Sequence, residues 1–213
     1  MICVPRGASA QREPRLFAAV PLGKPPTAAD VVARMSANAI VPESYTVPVH
    51  VDAKVHRLIT LHFGMNGTVY YKRPDHLALA MSHVPSGFRK LFAELGNAQT
   101  WASTYDMTFV DALGGGSSGE IYRLKGVPKQ DGDVDHVLLD LSAADLTPQH
   151  ASWLCRDGST IDMTFLNEPF GGYELAKRAE ADMVLSGWKI HAVMDYGPYV
   201  LNETITQGVF SDH

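Results

Sequence analysis

From about residue 45 to about residue 205 the apolar side chains recur at every second position, and this period restricts the chain to extended strands with one dry and one wet face. Ile161, Met163 and Phe165 alternate with Thr160, Asp162 and Thr164. Tyr105, Met107 and Phe109 alternate with Asp106, Thr108 and Val110, and Leu77, Leu79 and Met81 with Ala78 and Ala80. The stretches 45–51, 56–63, 188–196 and 199–205, together with Ile121, Arg123, Val137, Leu139 and Leu141, continue the pattern. Turn-formers punctuate it at Asn66-Gly67, Asp131-Gly132, Asp157-Gly158, Gly171-Gly172 and Ser186-Gly187. Asn66-Gly67 is the strongest short-range hairpin signal, because both central positions of a type I′ turn need positive φ; it is expected to join 56–65 to 68–72. Residues 173–185 are ambiguous: their Glu, Leu, Ala, Lys and Arg favour helix, whereas their place between two turns suits a strand, the reading adopted.

Helical spacing occurs twice. Thr27 followed by Asp30 is a variant capping box, and Val31, Val32, Met35 and Ala39 then predict a helix over about 28–40. Phe88, Leu91, Phe92 and Leu95 predict a short crossover helix. About ten strands without an alternating βαβ rhythm disfavour parallel α/β architectures and predict an α+β, mainly antiparallel fold. A sheet this large closes or curls strongly, and helices inside the curved face leave a cavity or groove.

The chain has 213 residues, 46% hydrophobic and 19% charged, which is a folding composition, and no linker interrupts its middle. The expected organisation is a flexible tail over 1–26 and a single domain over 27–213. A net charge of −5 with scattered Lys and Arg leaves no footprint for nucleic acid. No run reaches the roughly 20 apolar residues of a membrane span, so an integral membrane protein is not expected. Cys3 and Cys155 form neither a disulfide framework nor a metal pair by spacing. The apolar run 16–23 contains Pro21 and meets Lys24-Pro25-Pro26, so no convincing secretory signal is read. Ala8-Ser9-Ala10 nevertheless has the small-x-small form of a cleavage site. One expectation is therefore a true start upstream and a periplasmic or secreted product; the other is a chance triplet in a cytoplasmic tail.

No candidate chemistry survives its spacing. Gly114 to Gly119 fits both G-x-G-x-x-G and G-x-S-x-G, but each motif requires a following helix, and 120–124 reads as strand; a hairpin loop is expected. His56 and His62, read as one strand, lie about 20 Å apart and cannot share an ion. Asp135 is expected on the opposite strand face from His136. Asp106, Asp140, Asp162 and Asp195 alternate with apolar residues, as solvent-facing carboxylates do. Asn202-Glu203-Thr204 fits a glycosylation triplet that is common by chance. An enzyme would need His and Asp side chains converging in one cleft, and no spacing provides that, so neither catalysis, cofactor nor metal is expected. In Gly67 to Asp75, period two places Val69, Tyr71 and Arg73 on one face. Arg73 then either projects into an apolar hollow, where it needs acceptors, or stands at a sheet edge in water.

The segment Gly67 to Pro74, with its Lys72-Arg73-Pro74, resembles the periplasmic lipoprotein carriers of the LolA/LolB-like superfamily. In that family a Gly-x-hydrophobic-aromatic-hydrophobic-Lys-Arg-Pro segment ends an early strand. The order of elements over about 27–210 is similar too, including Gly171-Gly172-Tyr173 and the stretch from Tyr199 to Phe210. The resemblance implies a strongly curved, incomplete barrel, or half-barrel, with an N-terminal helix and a short crossover helix packed on its concave face around an acyl-binding cavity. It implies that Arg73 matches the arginine that holds the helical lid shut. After the Lys-Arg-Pro strand this chain departs from the family, with Met81 to Leu95 and Trp101 in place of an Asp-Gly hairpin. The expected function is non-catalytic binding of a lipid, acyl chain or lipoprotein by an envelope carrier or sensor. Envelope membrane proteins are further candidate partners. The expected walls are Tyr71, Leu79, Met107, Phe109, Trp153, Met163 and Phe165, with Arg73 as latch; ordinary core packing would use the same side chains. The alternative is a structural or protein-interaction domain with a filled core and a binding sheet edge.

Overall fold

The structure, a computed structural model, describes residues 27–37, 41–73, 76–81, 101–114 and 120–210. In chain order its elements are α1 (Ala28–Ala37), β1 (Ser44–His56), β2 (Thr60–Lys72), β3 (His76–Met81), the helical turn α2 (Trp101–Thr104), β4 (Tyr105–Gly114), β5 (Glu120–Pro128), β6 (Val134–Ser142), β7 (Pro148–Cys155), β8 (Thr160–Phe170), β9 (Tyr173–Leu185), β10 (Trp188–Tyr196), β11 (Val200–Leu201) and a 3-10 turn, Gln207–Phe210. The strands form one curved, unclosed antiparallel sheet in the order β3-β2-β1-β10-β9-β8-β7-β6-β5-β4, with β11 beside the start of β1. Two meanders, β1–β3 and β4–β10, are thus joined by one long-range seam from Val49↔Tyr196 to His56↔Lys189. Register shifts at Phe109/Asp111, Val134/His136, Asp140/Leu141 and Leu166/Asn167 add local bend and twist.

The capping box forms as read. Thr27 N–H donates to Asp30 Oδ2 at 2.9 Å, and Asp30 N–H donates to Thr27 Oγ1 at 3.2 Å. α1 then buries Val31 and Met35 in a cluster with Trp101, Leu124, Leu139 and Trp153. A second cluster gathers Val47, Val49, Val51, Val69, Leu79, Met81, Ala179 and Met194. Both clusters lie on the same, inner face, because directly paired residues such as Val47, Val69 and Leu79 share a side of the sheet. The crossover helix expected over 88–95, and residues 38–40 of the first helix, lie outside the described residues.

Most turns fall where expected, with positive φ at Gly158, Gly171, Gly172, Ser186 and Gly187, and residues 173–185 are a strand. Asn66-Gly67 is a correction. It lies inside β2, and the hairpin turns instead at Arg57-Leu58-Ile59, where Arg57 N–H donates to Ile59 O at 3.3 Å. The glycine serves a different end there, since a Cβ at Gly67 would stand 2.8 Å from the Ala80 carbonyl oxygen and 2.9 Å from Met81 Cε. Asn66 Oδ1 pairs with His50 Nδ1 at 2.8 Å across the strands. His56 and His62 therefore belong to two strands, not one.

Gly67→Ala forces backbone against backbone and is expected to destabilise by about 1–3 kcal/mol, as overpacked positions do. Gly132→Ala, whose Cβ meets nothing within 4 Å, serves as the near-neutral control in the same urea titration. Equal midpoints for the two variants would refute the close-approach account.

Candidate functional site

The pairing register lays one row of side chains across nine strands of the inner face: Phe63, Ala53, Ala192, Ala181, Met163, Ala151, Leu139, Leu124 and Phe109. Four of the central members are alanines. At about 4.8 Å between strands, the alanine stretch from β1 to β7, roughly 19 Å long, is a trough only in the sheet's own relief: Ala151, Ala192 and Met163 are buried in the larger cluster, and Ala53 and Ala181 pack against it. The adjacent row carries Leu61, Val55, Ile190, Met183, Ile161 and Trp153. At the β2 end the inner face meets solvent, with Leu61 43% and Phe63 46% exposed.

The residues expected as walls all stand on this face, in two groups. Met107, Phe109, Trp153 and Met163 belong with the larger cluster, Leu79 with the smaller, and Phe165 packs against both. Trp153 meets Trp101 edge-on at 5.3 Å, and Phe109 meets Tyr122 at 5.8 Å. Leu79 and Trp153 are 1% and 2% exposed, so the protein's own side chains already cover them. Among the described residues Trp101 Nε1 has no hydrogen-bond acceptor, and a buried donor left unmade costs about 1–3 kcal/mol.

Tyr71 is buried and stacks on Tyr45 at 5.1 Å, while Tyr45 meets Tyr199 at 5.3 Å. Above this aromatic group Arg73 is neither in an apolar hollow nor free in water. Its Nη1 donates to Glu43 Oε1 at 2.8 Å, its Nη2 donates to the Val41 carbonyl, and its backbone N–H donates to Glu43 O at 2.9 Å. All three bonds reach the link between α1 and β1, so the guanidinium pins the end of the segment that carries the helix.

No family sequence model matches the chain, and no curated protein matches it by sequence. Three solved structures share its architecture. A LolA superfamily protein of Nitrosomonas europaea superposes with a TM-score of 0.62 at 14% identity, covering 88% of this chain and 99% of the other. A DUF1329 family protein of Desulfovibrio piger gives 0.64 at 12%, over 86% and 95%. An outer membrane lipoprotein-sorting protein domain of Vibrio parahaemolyticus gives 0.62 at 8%, over 84% and 94%.

The fold is LolA-like. At these identities the likeness concerns architecture, and the chemistry has to be read from this chain's own residues.

The outer face of the LolA-like sheet is polar and cross-paired. Arg178 Nε donates to Asp195 Oδ1 at 2.7 Å and holds that carboxyl below its ordinary range; His191 meets Asp182 at 2.9 Å. Asp140 is buried, not solvent-facing as its alternation suggested, because the Arg123 guanidinium grips both its oxygens, at 2.7 and 2.6 Å. His136 and Asp135 are likewise not on opposite faces. The register shift between Val134 and His136 breaks the alternation and lets them bond at 2.7 Å. An open hollow of about 390 Å3 on this face is lined by Asp52, Lys54, His62, Arg178, His191 and Asp195 around Gly64. Among the described residues no three His, Cys, Asp or Glu side chains are placed to hold a metal ion.

Burial pushes the phenols of Tyr45, Tyr196 and Tyr199 far above the ordinary tyrosine value. An acid whose folded-state pKa is raised keeps its proton in the native state after the unfolded chain has lost it. Its contribution to stability is therefore complete below about pH 10 and is lost as pH rises beyond. Alkaline titration followed by phenolate absorbance is expected to leave these three of the eight tyrosines un-ionised until a cooperative unfolding step releases them. Ionisation of all eight in one phase before any loss of near-UV dichroism would contradict this packing.

Proposed function

We propose that this protein binds an acyl chain, carried by a lipid or by a lipid-modified protein, on the inner face of its sheet, as a non-catalytic carrier or sensor of the cell envelope. The alanine trough carries this reading. The row runs from Ala151 within the larger cluster to the exposed Phe63 beside Leu61, so an apolar chain would enter from the β2 end and displace the side chains that cover the alanines. Each methylene buried there stabilises the complex by about 0.8 kcal/mol. Ala53, Ala192 and Ala181 form the floor. Met163 and Phe165 border it, and Trp101 Nε1 offers a donor to an ester or amide carbonyl. Tyr71, Leu79, Met107, Phe109 and Trp153 act as supporting wall, and Arg73 keeps α1 tethered beside the site. The lipoprotein-sorting name of one solved neighbour supports the choice of cargo and an envelope location. No helix among the described residues is long and apolar enough to cross a membrane, which fits a carrier.

The nearly complete burial of Leu79 and Trp153 favours a second reading for that part of the face: a filled core in a domain that binds a partner protein along a sheet edge. Ligand uptake separates the two. Native mass spectrometry of the purified chain is expected to show co-purified lipid, and the delipidated protein should take up a fluorescent fatty acid. Ala181→Phe fills the trough and should weaken uptake about tenfold or more while shifting the melting temperature only modestly, since Ala181 is half-buried. A clean apo mass together with no uptake by the wild type would transfer the proposal to the interaction domain.

A further inference from the structure

The most exposed apolar side chains lie together at one end of the sheet. Leu58 and Ile59, at the β1–β2 turn, are 93% and 67% exposed. Because β1 pairs with β10 through His56↔Lys189, the β9–β10 turn lies beside them and brings Trp188 to the same rim. Arg57 stacks over the Trp188 ring, 5.0 Å from its centroid. Cations gather at this rim, and Asp162 and Asp182 stand further along β8 and β9 in the hollow that Lys54 and Lys189 line. The chain carries a net −5, yet no Asp or Glu occurs between Asp52 and Asp75 or between Asp182 and Asp195. Within those two stretches stand Lys54, Arg57 and Lys189, with His56 and His62.

We propose that this tip docks the protein on an anionic lipid bilayer, with Leu58 and Ile59 inserted among the acyl chains, Trp188 at the headgroup level, and Arg57, Lys54 and Lys189 against the lipid phosphates. Shape selects the bilayer over a protein partner. Two side chains projecting from a narrow turn present a point, whereas a stable protein interface needs about 800 Å2 of matched surface on each side. A second copy of the chain is disfavoured because it would set one basic rim against another. A bilayer, in contrast, accepts a point insertion at any position, and the tryptophan with its collar of cations suits the interface between hydrocarbon and anionic headgroups. Docking also aims the trough, since Leu61, Val55 and Ile190 on the inner face lie between the tip and the alanine row. The docking proposal stands on the tip alone and does not require the acyl-binding reading.

The test is flotation of the full chain with phosphatidylcholine vesicles, with and without phosphatidylglycerol, at low and high salt. The wild type is expected to float with the anionic vesicles and to lose binding as salt rises. Trp101 and Trp153 are already buried, so a blue shift of tryptophan emission on binding reports Trp188. Leu58→Asp, at a position too exposed to affect folding, should reduce binding roughly tenfold or more. Arg57→Ala with Lys189→Ala should remove the preference for anionic vesicles. Uptake of the fluorescent fatty acid from solution should survive in all of these variants, which separates failure of docking from failure of ligand binding. Docking is overturned if the wild type does not float, if Leu58→Asp floats equally well, or if Leu58→Asp instead turns a dimer into a monomer in sedimentation, which would assign the tip to a second copy.

Discussion

The seam between β1 and β10 is the contact on which the rest of this protein depends. It is the pairing that joins the first meander to the second, across most of the chain's length, and it does so through eight directly opposed residue pairs from Val49↔Tyr196 to His56↔Lys189. A slip of one residue would turn every inward side chain of β1 outward. The valines at 47, 49 and 51 would then face water, and His50, Asp52 and Lys54 would face the core. Because side chains repeat on each face with period two, the seam also decides which residues share the inner face. Ala53 and Ala192 oppose each other across it, and the trough exists only in this register. The apolar tip straddles the same seam one level further along.

An open sheet of this width has to be asymmetric. Its outer face is stabilised by cross-strand pairs that tolerate water, such as Arg178 with Asp195 and His191 with Asp182, each of which contributes little on its own. Arg123 and Asp140 differ. Asp140 is buried, so removing the guanidinium would strand a charge out of water, whereas the intact pair satisfies both carboxylate oxygens. Among the described residues the inner face has no such network and relies on contact with α1 and Trp101 and on its own large side chains. Where its row changes from Leu and Phe to Ala, the sheet contributes less of that cover and the neighbouring side chains of the cluster contribute more.

Much of the architecture was legible because it rests on local alternation. Ile161, Met163 and Phe165 gave both the strand and its face, and the Gly171-Gly172 and Ser186-Gly187 turns outweighed the helical composition of 173–185. The misreadings arose where local and non-local causes compete. Asn66-Gly67 has turn chemistry, but Gly67 is needed for the close approach of Ala80 and Met81, a contact visible only once β3 is paired. Asp135 and His136 meet because of a bulge, which shifts alternation without any sequence signature of its own. The alanine trough is of the same kind. Ala53, Ala151, Ala181 and Ala192 are unremarkable in their separate strands, and only the register lines them up. The alternation of 56–63 runs through Leu58 and Ile59 and so hides their position at a turn tip.

The helix and the strand that follows it are held to the sheet by separate contacts. α1 is amphipathic, and its stability depends on what holds it to the sheet. It persists through its capping box and through burial of Val31 and Met35, each of which stabilises it by about 1.5–3 kcal/mol when fully covered. Arg73 grips residues 41 and 43, beyond the helix itself, so displacement of α1 leaves that anchor and the start of β1 in place. The arginine thus ties down the chain between helix and strand, and the helix itself is held by its own capping box and by the core beneath it.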